Sequence, residues 1–229
     1  MALILSIETS TTVCSVALTL NGDRLEERKI FDEQSHSTHL TLLINEVLEN
    51  AGKSMVDLNA VAVSEGPGSY TGLRIGVSTA KGLCYTLGIP LVAIPTLQAM
   101  AYEVNLNNVD KSLLVPMIDA RRMEVYTATY DDQLEVEKEL RPLILDEISF
   151  QETLTNNKVL FFGNGADKFK PLVERVVNAE FIDDVSPSAW AIGLLAYKKF
   201  EKKDFVDVAY FEPNYLKAYQ ATTPKKKLL

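Results

Sequence analysis

Four groups of residues in this chain have types and spacings that could do chemistry. The first is Glu8-Thr9-Ser10-Thr11-Thr12, a carboxylate and a run of hydroxyls after the apolar stretch 3–7. Such a turn could hold a phosphate or a metal ion. Its hydroxyls could equally bond to nearby backbone, which is the plainer reading. The second is His36 and His39. Two helical histidines can share a metal ion, but the usual spacing is i, i+4, and only Asp32 or Glu33 offers a third ligand nearby. A helix start capped by Ser35 or Ser37, with both histidines on the surface, is favoured.

The third group is Gly66-Pro67-Gly68-Ser69-Tyr70-Thr71-Gly72-Leu73-Arg74-Ile75-Gly76, which follows the apolar residues 61–63 and leads into a helix. Backbone N–H groups at such a start can cradle an anion. The same glycines can instead let the helix pack closely on a neighbour. The Lys-Ser/Thr pair of a phosphate-binding loop is missing, and so is the spacing of a dinucleotide fingerprint. Arg74 could meet an anion or a carboxylate. The fourth group, Asp119-Ala120-Arg121-Arg122, sets opposite charges at a strand end and reads as an ion-pair network before catalysis. No Ser/His/Asp or Cys/His pattern offers a nucleophile.

The elements that must position these groups follow from periodicity. Residues 3–7 read as a strand buried on both faces, 13–20 as a second strand, and Asn21-Gly22 as a hairpin turn into a charged edge strand, 24–31. Leu40, Leu43, Ile44, Val47 and Leu48 mark a first helix, closed by Gly52. A strand at 61–63, a helix from Tyr70 to Gly88, a strand at 91–94 and a helix from Thr96 follow. After Asn105-Leu106-Asn107-Asn108 come strands at 113–118, 124–130, 159–162 and 179–182, with helices at 166–177 and 189–199. The expectation is a mixed α/β chain of two related lobes, 1–106 and 107–229, the second ending in an irregular tail.

Composition sets limits. The net charge of −8 argues against a self-sufficient nucleic-acid binder. The basic cluster 225–227 reads as a frayed end. Cys14 and Cys84 read as buried free thiols of a reducing compartment. No apolar run approaches the ~20 residues of a membrane span, and the start lacks a basic signal region, so a cytoplasmic protein is expected.

The glycine segment with Ala80-Lys81-Gly82-Leu83 closely resembles the signature of the bacterial TsaB family, formerly called YeaZ. Residues 5–10, Ser35-His36-Ser37, Ile118-Asp119-Ala120-Arg121 and Pro213-Asn214-Tyr215-Leu216 also resemble that family. The resemblance implies an actin-like ATPase (ASKHA) fold and a role in making N6-threonylcarbamoyladenosine (t6A) at tRNA adenosine 37. It implies a non-catalytic subunit that pairs with the paralogous TsaD transferase, joined by the TsaE ATPase, and meets tRNA indirectly through the complex. Actin-like ATPases and sugar kinases carry an Asp and a Gly in the first hairpin. Glu8 and Ser10 stand here, so Glu8, Thr9, Ser10 and Thr11 would be a vestigial nucleotide site. No catalytic residue, metal or cofactor is implied, with nucleotide only at the boundary of the complex. The spacing of His36 and His39 departs from the His-x-x-x-His metal pair of the catalytic paralogue.

The family's subunit contact implies an interface on helices one and two: His36, His39, Leu43, Val47, Tyr70, Leu73, Gly76, Val77, Ala80, Leu83 and Cys84. The second helix is apolar or small on nearly every face, with only Arg74 and Lys81 charged. A helix apolar all round is buried on all sides, by its own core or by a partner. An isolated chain could form a homodimer through the same surface. Two alternatives from other classes stay open. One is a metallopeptidase using His36 and His39; the other is an ATP-binding kinase-like enzyme using the first hairpin.

Overall fold

A computed structural model describes residues 1–31, 36–173 and 176–217. Asp32, Glu33, Ser35 and the cluster 225–227 lie outside the described residues. The chain opens with the expected meander: β1 (Leu3–Glu8), β2 (Val13–Leu20) and β3 (Asp23–Phe31). Asn21 and Gly22 turn the β2–β3 hairpin with φ of 52° and 90°, values these two residues tolerate best. Then come α1 (His36–Asn50), β4 (Ala60–Gly66), α2 (Tyr70–Leu87), β5 (Leu91–Pro95) and α3 (Thr96–Asn105). The first sheet runs β3-β2-β1-β4-β5, with β1, β4 and β5 parallel. β1 is buried along its whole length, as its unbroken apolar run requires, while charged β3 takes the edge.

The second sheet is built from β6 (Leu113–Asp119), β7 (Glu124–Tyr130), β8 (Val136–Ile144), β9 (Val159–Phe162) and β10 (Ala179–Ile182), in the order β10-β9-β6-β7-β8. Two more helices are α4 (Gln151–Asn156) and α5 (Ala189–Glu201). One face of the first sheet packs on α1 and α2 through Leu5, Ile7, Val61 and Val63. The other packs on α3 and α5 through Ile4, Ala62, Val92, Ala99, Ala191 and Ile192. α3 also faces the second sheet, with Leu97, Met100 and Ala101 against Leu114, Ile118 and Phe162. The outer face of that sheet is covered by an aromatic cluster of Phe150, Phe161, Phe169 and Phe181. Residues after 107 therefore serve both sheets: their strands build the second, and α5 closes the first.

The helix expected at 166–177 is not formed. Residues 166–172 make two short 3-10 turns, Ala166–Lys168 and Lys170–Leu172. Pro171 has no N–H to give and its ring opposes a continuous helix. β8 and α4 lie where no element was expected. β8 is a charge-dense edge strand, and α4 is too short to show a period.

Candidate functional site

The glycine segment and the first hairpin turn form one packed unit. The Glu8 carboxylate accepts the Ser10 N–H at 2.5 Å. The Ser10 carbonyl accepts the Ser69 N–H at 2.6 Å. Ser69 caps α2 by accepting the Gly72 N–H, and the Thr9 hydroxyl donates to the Gly72 carbonyl at 2.8 Å. Gly72 and Gly76 lie one turn apart on one face of α2, and Gly68, just before the helix, meets the same hairpin turn. A Cβ on Gly68 would overlap the Ser10 carbonyl, one on Gly72 the Thr9 carbonyl, and one on Gly76 the Thr9 hydroxyl. The glycines are there because the turn occupies the space their side chains would fill. Glu8, Thr9 and Ser10 are fully buried beneath the helix.

His36 completes the unit. Its Nε2 lies 2.7 Å from the Thr11 carbonyl, and since a carbonyl only accepts, Nε2 carries the proton. Its ring also approaches Gly72. The expectation of a surface histidine is corrected here: His36 is buried and braces the turn, while His39 is half-exposed. Among the described residues no three His, Cys, Asp or Glu side chains gather as a metal ion would require. Burial raises the Glu8 carboxyl above its ordinary range, against the opposing pull of Ser10. Among the described residues, its second oxygen, the hydroxyls of Ser6, Ser10, Ser64 and Thr96, and the His36 Nδ1 are buried without a hydrogen-bond partner. Cys14 and Cys84 are buried free thiols, each pushed up to about 11, chiefly by burial.

α2 has two unlike faces. Gly72, Leu73, Gly76, Val77, Ala80 and Cys84 are buried against the chain's own sheet, as are Leu43 and Val47 of α1. All of these but Gly72 were expected at the interface, and the chain's own core already buries them. The outer face carries Thr71, Arg74, Ser78, Gly82, Tyr85 and Thr86, with Tyr70, Ile75 and Leu83 half-exposed. So the helix is not apolar all round: small residues line both faces, but the outer ones are mostly polar or glycine.

The segment 204–217 runs across this region. Val206 bridges to Leu91, and Lys81 donates to the carbonyls of Ala209 and Phe211 at 3.0 and 2.9 Å. The Asn214 N–H donates to the Glu65 carbonyl, Tyr215 packs on Tyr70 at 4.6 Å, and Arg74 lies over the Tyr70 ring. Lys217 pairs with Glu124 on β7. Arg74 therefore lies on an aromatic face, and among the described residues it pairs with no carboxylate.

At the β6–β7 tip, Asp119 pairs with Lys168 at 2.6 Å and accepts the Arg121 N–H. The ion-pair network expected at residues 119–122 exists, but its cations are Lys168 and Lys217. Arg121 and Arg122 are exposed, with φ of 71° and 48°.

The family model described as TsaD, tRNA N6-adenosine threonylcarbamoyltransferase, matches residues 31–225. The chain is 30% identical over 223 residues to the tRNA threonylcarbamoyladenosine biosynthesis protein TsaB of Bacillus subtilis, covering 95% of each. The chain belongs to the TsaB family. It is 29% identical to TsaB of Haemophilus influenzae over 93% of both chains. Among solved structures, YeaZ from Pseudomonas aeruginosa superposes with a TM-score of 0.78 at 24% identity, over 94% of this chain and all of that one. An activator of 2-hydroxyisocaproyl-CoA dehydratase from Clostridium difficile, solved with bound ADPNP, superposes at 0.55 with 12% identity, over 90% and 98%. The fold of this TsaB-family chain is the actin-like ATPase (ASKHA) type. Among the described residues, no helix is long and apolar enough to cross a membrane.

For a TsaB-family chain the close packing at the glycines was one of the two readings that the sequence left open. The burial of His36 was not legible there. Its partner is a backbone carbonyl, which no residue type announces. The tie between Lys217 and Glu124 joins residues 93 positions apart and left no local signal either.

Proposed function

We propose that this chain is a non-catalytic subunit of the machinery that makes t6A on tRNA, pairing with the paralogous TsaD transferase, with the TsaE ATPase joining the pair. The observation that carries the reading is the closed first hairpin. The Ser10 N–H is held by Glu8, its carbonyl by Ser69, and Thr9 by Gly72. A phosphate entering there would have to displace α2. That disfavours the kinase-like alternative. The metallopeptidase alternative loses support as well, because among the described residues no three potential ligands gather around His36 or elsewhere.

The pairing surface proposed is the outer face of α2 with the adjoining exposed face of α1. Ser78, Gly82 and Tyr85 lie on α2, and Leu42 is 53% exposed on α1. His39, Tyr70 and Leu83 stay in the proposed surface as its half-exposed members. Small outer residues let a partner helix approach closely. Nucleotide would enter only where the two subunits meet, and tRNA would be held mainly by the complex. The test is co-purification with the transferase, followed by t6A formation with and without this chain. Ser78→Trp and Gly82→Trp should abolish both association and stimulation while the monomer keeps its melting temperature. An intact complex with both substitutions rejects this surface. Full t6A synthesis without the chain rejects the function.

A further inference from the structure

Arg121 and Arg122 form the tip of the β6–β7 hairpin, and both adopt the left-handed backbone region. A single L-residue there is strained, and two in succession are costlier. Asn or Gly would fill the same positions with less strain. Arginine brings charge instead. Neither guanidinium makes a hydrogen bond or an ion pair among the described residues, and both are exposed. The neighbouring carboxylates do not neutralise them, since Asp119 is taken by Lys168 and Glu124 by Lys217. An acidic chain of net charge −8 thus holds a locally positive tip.

We infer that this tip contacts the phosphodiester backbone of tRNA when the chain works within its complex. The inference rests on the function proposed above. Paired guanidiniums suit phosphate oxygens through their planar donor forks. Exposure at a hairpin tip fits an extended polyanion lying outside the protein. A small nucleotide would need an enclosing cradle, and the first hairpin turn, the candidate for one, is closed by α2. The acidic remainder of the chain limits the contact to this tip, so it adds to binding by the partner subunit and does not replace it.

The test compares tRNA affinity of the assembled complex containing the native chain, an R121E/R122E chain, or an R121N/R122G chain, over a series of salt concentrations. Both variants should weaken tRNA binding by roughly tenfold or more, and lower the salt slope by about 1.5–2. The R121N/R122G chain should also melt about 2–4 °C higher, because the strain is relieved as the charge is lost. That opposite movement of stability and affinity separates a binding role from a structural one. Unchanged tRNA affinity and salt slope in complexes that still form t6A would overturn the inference alone. So would loss of nucleotide binding with tRNA binding intact, or failure of the variants to assemble. If the native chain neither joins nor stimulates the transferase, the functional reading falls and the inference falls with it.

Discussion

The Thr9 hydroxyl donates to the Gly72 carbonyl at 2.8 Å, joining the first hairpin turn to the first turn of α2 across 63 residues of sequence. This bond forms only because the Gly72 Cα carries no side chain. A methyl group on Gly72 would strike the Thr9 carbonyl, a backbone atom that cannot swing aside. Gly72→Ala is therefore expected to cost about 1–3 kcal/mol by overpacking, seen as a lower denaturation midpoint. Gly82, on the same helix, meets nothing within 4 Å, and Gly82→Ala should stabilise by about 0.5–1 kcal/mol through helix propensity. Equal effects at the two positions would contradict the assignment of inner and outer faces.

Glu8 makes the stability of the fold depend on pH. Its carboxyl is raised by burial, so the native state holds a proton that the unfolded chain releases near the ordinary value of 4.5. Stability from this group is complete below that value and is lost as pH rises toward the folded pKa. Glu65 and Glu103 are raised by burial as well and add to the same slope. Glu8→Gln keeps an acceptor for the Ser10 N–H and removes the ionisation. Urea midpoints measured from about pH 4 to about pH 8 should fall less steeply in the variant than in the native chain.

His36 is expected to behave as a brace, not as a metal ligand. His36→Ala deletes the bond to the Thr11 carbonyl and should cost about 1–2 kcal/mol. Added zinc should raise the melting temperature of neither protein. A zinc-dependent rise in the native chain that His36→Ala abolishes would reopen the metal reading.

The start of α5 offers a cap to test. The Ser188 hydroxyl accepts the Ala191 N–H at 3.2 Å and donates to Glu103 at 2.8 Å. Ser188→Ala should cost about 1 kcal/mol from the lost cap. The abandoned Glu103 carboxyl would add to that cost, since it is largely buried and held above its ordinary range.

The thiols should be nearly inert in the folded chain. Both sit at about 11, so the reactive thiolate is scarce at neutral pH, and burial blocks access. Iodoacetamide should label Cys14 and Cys84 only after denaturation. Rapid labelling under native conditions would show that the core opens around them.

Much of the fold was legible because local patterns and tertiary demands agree. The apolar run of β1, the Asn21-Gly22 turn and the spacing of Leu40, Leu43 and Val47 each point to the element that forms. β8 was missed because an edge strand carrying Glu137, Lys138, Glu139 and Arg141 has neither the alternation nor the apolar content of a buried one. The helix expected at 166–177 failed at Pro171, a residue whose veto on helix outweighs its neighbours' propensity. In the site, close packing at the glycines was one of two open readings, and its direction was not legible. Small residues let something come close, without saying whether it is the chain's own turn or another protein. Here the inner stripe serves the turn, and Leu73, Val77, Ala80 and Cys84 serve the core.

α5 has a consequence for the order in which the chain can fold. Ala191 and Ile192 cover Ile4, Ala62 and Val92 of the first sheet, yet they are made about a hundred residues after the last of its strands. During synthesis that sheet must wait with one apolar face partly bare while the whole second sheet emerges from the ribosome. Closing so long a loop is slow. A nascent chain stalled before Ala189 would thus expose a sticky surface for chaperones to shield, even with every strand of both sheets already translated.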